Sequence, residues 1–354
     1  MRIQFSHKYE DIISVENLLL AWQEFVRGKR NKPDVQFFAS ALIDNILQLH
    51  QDLANKTYKH GGYYCFKISD PKPRDISKAS VRDRLLHHAV YRILYPFFDR
   101  TFIADSYSCR DDKGTHKAVN RLRSMYAKAS KNNTRTVWTL KLDIKKFFAS
   151  IDHEILLGML KEYIPDQDIM WLLEEIIDSF GLDCFVASGS SQMRRTESAR
   201  SEATWQSKKG LPLGNLTSQL LVNVYMNKFD QFVKHKLKAK YYIRYADDFV
   251  ILSSSKQYLT PILSRIAVFL ENDIKLSLHP DKIILKTLAS GVDFLGWVSF
   301  THHRVLRTTT KRRMFKKINE NNLQSYLGLL KHGNAFKLRQ EVSLRGIGLR
   351  RFGL

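Results

Sequence analysis

Apolar side chains recur along this chain with two periods, and the places where the period changes mark its elements. Ser14 stands as an N-cap before an amphipathic run to Gly28, and a second helical run extends from Asp34 to Lys56. Tyr63–Ile68 and Arg74–Ile76 read as short strands, and Val81–Phe98 and Thr115–Lys128 as helices. Arg135–Leu142 is β-branched and aromatic and ends on Asp143, with a helix predicted to begin near Asp152. Thr217–Leu237 has helical spacing that turns Leu220, Val224, Phe229 and Phe232 towards a core. Within Lys240–Ser253 two β-rich runs meet at Asp247-Asp248, which predicts a hairpin carrying both acids at its turn. Further strands are expected near Lys275 and Phe294, and basic helices from Lys311 onward. Phe185–Lys209 is rich in Ser, Arg and Thr and lacks apolar period, which predicts a loop that orders on nucleic acid. No internal repeat or sustained heptad interrupts this pattern.

Composition narrows the partners. A length of 354 residues predicts about two domains and a substantial core. The 57 Lys and Arg against 35 acids leave a charge of +22, a balance suited to a phosphate backbone. The excess is uneven: Arg304–Leu354 carries thirteen basic residues, with Glu320 and Glu341 as its acids. A stretch this lopsided is expected to track a nucleic-acid duplex rather than form a merely solvated face. Cys65, Cys109 and Cys184 lack Cys-x-x-Cys spacing, which argues against structural zinc or a disulfide framework. His87-His88 and His302-His303 are adjacent pairs that point apart in regular structure, a poor basis for metal ligation. With no signal peptide and no eighteen-residue apolar run, a cytoplasmic protein without a membrane partner is expected.

The candidate chemistry lies in the acids. Adjacent carboxylates at a hairpin turn repel each other, and a divalent cation with a taste for hard oxygen offsets that cost. Asp143 ends a strand beside a turn, where α/β sheets place ligands. Phosphoryl transfer from a nucleotide uses two cations about 4 Å apart, one on the attacking and one on the leaving oxygen. Asp143, Asp247 and Asp248 are the fewest carboxylates that could bridge such a pair. Taken singly, each has a plainer explanation: a solvated turn for Asp247-Asp248, a helix N-cap or turn acid for Asp143.

Asp143-Ile-Lys-Lys-Phe-Phe-Ala-Ser-Ile-Asp-His153 resembles the first palm motif of reverse transcriptases, and Tyr245-Ala-Asp-Asp248 resembles their catalytic hairpin. The resemblance is collinear. Asn17–Trp22 is similar to the N-terminal helix of the group II intron type, and Lys72–Ile76, Asp83-Arg84 and Asp105–Arg110 to fingers motifs. Leu276–Lys282 and Phe294–Trp297 are similar to the motifs that close the palm and grip the primer. Ordered blocks over residues 17–307 make a far more specific signal than any one motif. One block departs from the common pattern. In Gly210-Leu-Pro-Leu-Gly-Asn-Leu-Thr-Ser-Gln219, Leu213 stands where most such enzymes have Gln, and Gln219 where they have Pro. That pair resembles the reverse transcriptases of diversity-generating retroelements, which copy a template-repeat RNA with frequent errors at adenine to diversify a target gene.

The resemblance implies an α+β fold: a right-hand polymerase with fingers, a palm of antiparallel sheet plus helices, and a short helical thumb. It implies N-terminal helices and fingers over 1–135, palm over 136–303 with a polar loop at 183–209, and a basic thumb over 304–354. It further implies two Mg²⁺ ions, replaceable by Mn²⁺, at Asp143, Ile144, Asp247 and Asp248, with Lys282 as proton donor to the leaving pyrophosphate. Lys72 (or Lys67) and Arg74 would bind the triphosphate, and Phe148 would sit under the sugar and exclude a ribose 2′-OH. Leu213, Gly214 and Gln219, with Asn215, would line the template–nucleotide pocket. Template RNA, a primer, dNTP and a pentameric accessory variability protein are the implied partners. The alternatives are an ordinary-fidelity reverse transcriptase of a group II intron, retron or phage-defence system, and a catalytically idle RNA-binding scaffold. The three carboxylates speak against the scaffold.

Overall fold

The computed structural model describes residues 3–69, 73–180, 184–186 and 208–352. Two compact units interleave along the chain: Met1–Ile103, Lys145–Gln231 and Phe269–Ser277 form the first, and Ala104–Ile144, Phe232–Val268 and Leu278–Leu354 the second.

In the first unit, α1 (Tyr9–Ile13) leads into α2 (Val15–Phe25), whose N-cap Ser14 accepts from the Asn17 amide as its sequence predicts. The run from Asp34 to Lys56 is two helices rather than one, α3 (Pro33–Ala39) and α4 (Leu42–Ala54). Ala41 leaves the helical conformation at φ −126°, ψ 45°, and the Asn45 side chain donates from Nδ2 to the freed Phe38 carbonyl at 2.9 Å. Strands β1 (Tyr63–Ile68) and β2 (Arg74–Lys78) pair antiparallel. Helix α5 (Val81–Asp99) follows, capped by Ser80, and buries Leu85, Leu86, Ala89, Val90 and Leu94. Helices α7 (His153–Lys161) and α8 (Gln167–Asp178) start on N-caps Asp152 and Asp166. The expected loop from Phe185 begins as a strand instead, β4 (Cys184–Val186), parallel to β1. Residues 187–207 of that stretch lie outside the described residues. Cys65 on β1 is disulfide-bonded, against the expectation from cysteine spacing, because spacing along the chain reports local pairing alone. Helix α9 (Leu216–Gln231) is buried on most of its faces, Leu220, Val224 and Phe229 among them. Phe232, expected in that core, is half-buried, because the chain passes into a π turn over Phe232–Lys236 that buries Val233 instead.

The second unit holds a four-stranded antiparallel sheet of β3 (Trp138–Asp143), β5 (Tyr241–Tyr245), β6 (Asp248–Ser253) and β7 (Ile284–Thr287), in the order β5-β6-β3-β7. A smaller antiparallel sheet joins β8 (Val292–Phe294), β9 (Trp297–Ser299) and β10 (Arg304–Leu306). Helix α6 (Thr115–Ala129), the basic helices α11 (Thr308–Lys317) and α13 (Phe336–Phe352), and between them α12 (Glu320–Leu330), which carries no Lys or Arg, complete the unit. Their apolar faces meet the sheets in one core: Leu122, Ile243, Val250, Phe294, Met314, Leu330 and Val342 belong to it. Trp297 packs so closely on the backbone at Gly333 that a Cβ there would overlap its ring. Helix α10 (Lys256–Ile274) occupies the approach to the strand expected near Lys275. Lys275 itself stands at φ 50° just past the helix, with the Leu276 amide bonded back to the Leu270 carbonyl at 2.8 Å. The strand that follows in the sheet is β7, at one of its two edges, beginning nine residues further on. Helices plus antiparallel sheets make this the α+β class expected, with the β1–β4 pair as its parallel exception.

Candidate active site

Hairpin register brings the acids together. Asp143 is the Cα partner of Asp248 across β3 and β6, and Tyr245 pairs with Asp248 across β5 and β6, leaving Ala246-Asp247 as a two-residue turn. Directly opposed residues have side chains about 5 Å apart on one face, so like charges there are destabilising. Lys141 lies two residues before Asp143, hence on the same face of β3, and its Nζ is 3.2 Å from Asp248 Oδ2. Lys282 Nζ donates to Asp143 Oδ1 at 2.8 Å. Ile144 continues the end of β3: its amide donates to the Asp247 carbonyl at 3.3 Å, and the His279 amide donates to the Asp143 carbonyl at 2.8 Å.

Two ammonium groups do not satisfy the site. Asp248 Oδ1 is buried without a hydrogen-bond partner. Burial pushes the Asp248 carboxyl up to about 7; Lys141 opposes the rise, and Asp143 and Asp247 add to it. Among the described residues no three His, Cys, Asp or Glu side chains are already closed around a common metal position. The donors are nonetheless all hard oxygens, one of them an orphaned carboxylate oxygen, which suits a divalent ion such as Mg²⁺. Asp143, Asp247, Asp248 and the carbonyl of Ile144 are the groups that could hold it.

The turn is held by a residue to which the sequence pattern assigned no task. Ala246 adopts φ 54°, the left-handed region a tight hairpin needs but a residue with a Cβ pays about 1 kcal/mol or more to enter. Arg244, fully buried, donates from Nη1 to the Ala246 carbonyl at 3.1 Å and from Nη2 to Ser106 Oγ at 3.2 Å. The Asp105–Arg110 stretch runs beside β5, with the Arg244 amide on the Asp105 carbonyl and the Tyr107 amide on the Arg244 carbonyl, each at 3.0 Å. Asp105 is fixed in turn by the Arg121 fork at 2.7 and 3.2 Å. Alternation could have shown Lys141; the buried Arg two residues before Ala246 had no local signal.

The other expected site residues belong to the first unit. Arg74 is exposed at the start of β2, opposite Ile68, as is Lys67 on β1; Lys72 lies outside the described residues. Ser77 on β2 donates its amide to the Leu213 carbonyl at 3.0 Å, and the Leu211 amide donates to the Phe148 carbonyl at 2.9 Å. Thus Arg74, Phe148 and Leu213 sit on segments tied to one another by main-chain bonds. Gly214 adopts φ 118°, and a Cβ there would stand 3.1 Å from Ile76 Cγ2, so the backbone does approach a neighbour closely. Leu213 and Gln219 are half-buried, and Asn215 is buried with neither side-chain polar atom partnered.

Comparison with known proteins fits this architecture. The chain belongs to the reverse transcriptase (RNA-dependent DNA polymerase) family, which it matches over residues 60–299, and with it to the right-hand polymerase class of fold. Protein YkfC of Escherichia coli is 24% identical over 275 residues, covering 69% of this chain and 66% of YkfC. The group II intron-encoded protein LtrA of Lactococcus lactis is 23% identical over 341 residues, 79% of this chain and 52% of LtrA. The chain thus spans about two thirds or less of the length of these curated relatives. A solved structure of apo telomerase from Candida Tropicalis, truncated from the C-terminal domain, covers 75% of this chain and 60% of its own at 13% identity and TM-score 0.49. No helix among the described residues is long and apolar enough to cross a membrane.

Proposed function

We propose that this chain is an RNA-directed DNA polymerase that extends a primer on template RNA with dNTP, and that Asp143, Asp247 and Asp248 are its catalytic acids. The observation that carries the reading is the opposed pair Asp143–Asp248 beside the Asp247 turn, with an orphaned, buried Asp248 oxygen. Two Mg²⁺ ions, replaceable by Mn²⁺, would supply charge neutralisation at the attacking 3′-oxygen and the leaving pyrophosphate. Lys282, 2.8 Å from Asp143, is the ammonium we assign to protonate the pyrophosphate. Arg74 and Lys72 are assigned to the triphosphate, and Phe148 to the face of the sugar.

The finer reading is a reverse transcriptase of a diversity-generating retroelement, working with a pentameric accessory protein and erring at template adenine. Leu213 and Gln219 support it. The Leu213 carbonyl accepts from the Ser77 amide, and the Leu213 side chain, being an alkyl group, can give a nucleotide apolar contact alone. Selectivity against a misfit comes largely from polar groups left unpaired, and an apolar pocket tolerates mispairs more readily. A second reading, an intron-type enzyme of ordinary fidelity, is favoured by the similarity to LtrA over 79% of the chain. Sequencing cDNA made by the purified protein on one defined RNA, with and without the accessory protein, separates them. We expect misincorporation opposite adenine well above that at the other bases, reduced by Leu213→Gln with Gln219→Pro. Uniformly low error in both conditions selects the second reading, and no cDNA at all rejects both.

A further inference from the structure

A cleft of about 620 Å³ opens in the second unit at the far end of the catalytic hairpin. Arg121, Lys128, Lys131, Asn132, Lys240 and Tyr241 line it, and no carboxylate does. Of the lining cations, Arg121 is already committed to Asp105 through both carboxylate oxygens. Lys128, Lys131 and Lys240 make no ion pair with any described residue, and the Lys240 ammonium instead stands over the Tyr241 ring at 5.6 Å. The cations come from two separate elements, the end of α6 and the start of β5, and converge on an apolar floor that includes Met125. Convergence of like charge in a concavity raises the local potential far above that of the same lysines spread over a convex face.

The backbone adds an independent sign. Lys131, Asn132 and Asn133 follow α6 with φ of 50°, 57° and 70°, three left-handed residues in succession. Each such residue costs on the order of 1 kcal/mol, and runs of them persist where the surroundings over-determine them, often at ligand sites. Here the Asn132 amide is held by the Ala127 carbonyl at 2.8 Å and the Asn133 amide by Ser130 Oγ at 2.8 Å. The result aims Lys131 and Asn132 at the cleft rather than letting the chain leave α6 by a relaxed route.

We propose that this cleft is a second RNA-binding site, separate from the carboxylates, that takes a phosphodiester backbone with Tyr241 as a stacking surface. Tyr241 opens β5 and Tyr245 closes it, which sets the cleft about 13 Å along the strand from the turn that carries the acids. Unpaired lysines for phosphate, an amide for a sugar or base edge, and a ring for stacking form the donor set of single-stranded nucleic-acid grooves. The choice of RNA over another polyanion rests on the function proposed above; the existence of the site does not.

The test is equilibrium binding, so it is independent of catalysis. A labelled 30-nucleotide single-stranded RNA is titrated into protein already saturated with a short unlabelled RNA–DNA primer–template. The comparison is with Lys128→Glu/Lys131→Glu/Lys240→Glu and with the milder triple Gln variant, both checked for unchanged thermal unfolding. We expect affinity for the labelled RNA to fall at least about tenfold in the Glu variant and less in the Gln variant. The slope of log affinity against log salt should shrink by about 2 as three phosphate contacts are lost, while extension of the short primer stays at the wild-type rate. Wild-type affinity and salt slope in both variants would overturn the site. Proportional loss of short-primer extension would overturn its separateness, and competition by polyglutamate as strong as by RNA would overturn the nature of its ligand.

Discussion

Phe147 and Phe148 are neighbours with different surroundings: Phe147 is core, while Phe148 is half-buried and meets it edge-on at 5.5 Å. Two adjacent rings in one motif look alike in the sequence, and it is the structure that separates the packed one from the presented one. If the Phe148 ring excludes the 2′-OH by bulk, Phe148→Ala should raise the rNTP-to-dNTP ratio of kcat/KM by an order of magnitude or more; an unchanged ratio would return the ring to a packing role. Arg244 makes a sharper case. Arg244→Met leaves the Ala246 carbonyl and the Ser106 hydroxyl without their donor, at a cost of about 1–3 kcal/mol for each group left unsatisfied. We expect a lower Tm together with a fall in kcat at nearly unchanged KM, partly restored by Arg244→Lys, because the guanidinium fixes the turn that aims Asp247. Loss of stability with full kcat would make it a structural residue only. The three acids were legible because each stands where a strand pattern meets a turn. Lys141 was equally legible by alternation on β3, but a lysine two residues from an acid is too common a pattern to single out.

At the scale of elements, caps and periods carried most of the reading: Ser14 and Asp152 start helices where the side chain can accept an amide, and Ser80 does the same without having been singled out. Where the reading failed, a non-local contact or a single misleading residue decided. Leu259, Ile262, Ile266 and Leu270 give α10 a clear helical stripe, all buried, but Pro261 interrupts it. The strand expected near Lys275 is displaced to β7 because the chain needs a left-handed exit at Lys275 first. β4 owes its existence to β1, not to its own three residues. Helix α5 also hides a polar chain that its apolar period does not announce. The Gly61 carbonyl can only accept, so His60 Nδ1 donates to it at 2.6 Å. His87 Nε2 then donates to His60 Nε2 at 3.0 Å, and the Thr217 hydroxyl donates to His87 Nδ1. Burial, with His60 adding to it, pushes His87 down to about 3; burial also pushes His88 down, to about 4. Both folded values lie below the ordinary histidine range, so the unfolded chain binds protons that the fold refuses. Their contribution is complete above about pH 6.5 and is lost as pH falls from there towards 4 for His88 and 3 for His87, with about 2 kcal/mol lost through His87 alone by pH 5. Urea midpoints at pH 7 and 5 should show that fall in the wild type and a smaller one in His87→Gln; equal falls would remove the histidine from the account.

At the scale of the molecule, each compact unit is assembled from stretches far apart in sequence, which no local period can reveal. The charge of +22 indicated a polyanionic partner without locating it. The basic C-terminal stretch is not simply a solvated arm: Met314, Leu330 and Val342 are fully buried in the core that also holds Ile243 and Val250 of the β5–β6 hairpin. That separation of charge from chemistry allows one decisive measurement. Asp247→Asn removes one carboxylate from the cluster while barely altering a +22 surface, so dNTP incorporation on an RNA template and equilibrium RNA binding should part company. We predict incorporation below about 2 % of the wild-type rate with RNA affinity within about twofold of wild type. Incorporation by the purified variant well above that level, at intact RNA binding, would contradict the assignment of the carboxylates at the end of β3 and β6 as the catalytic centre.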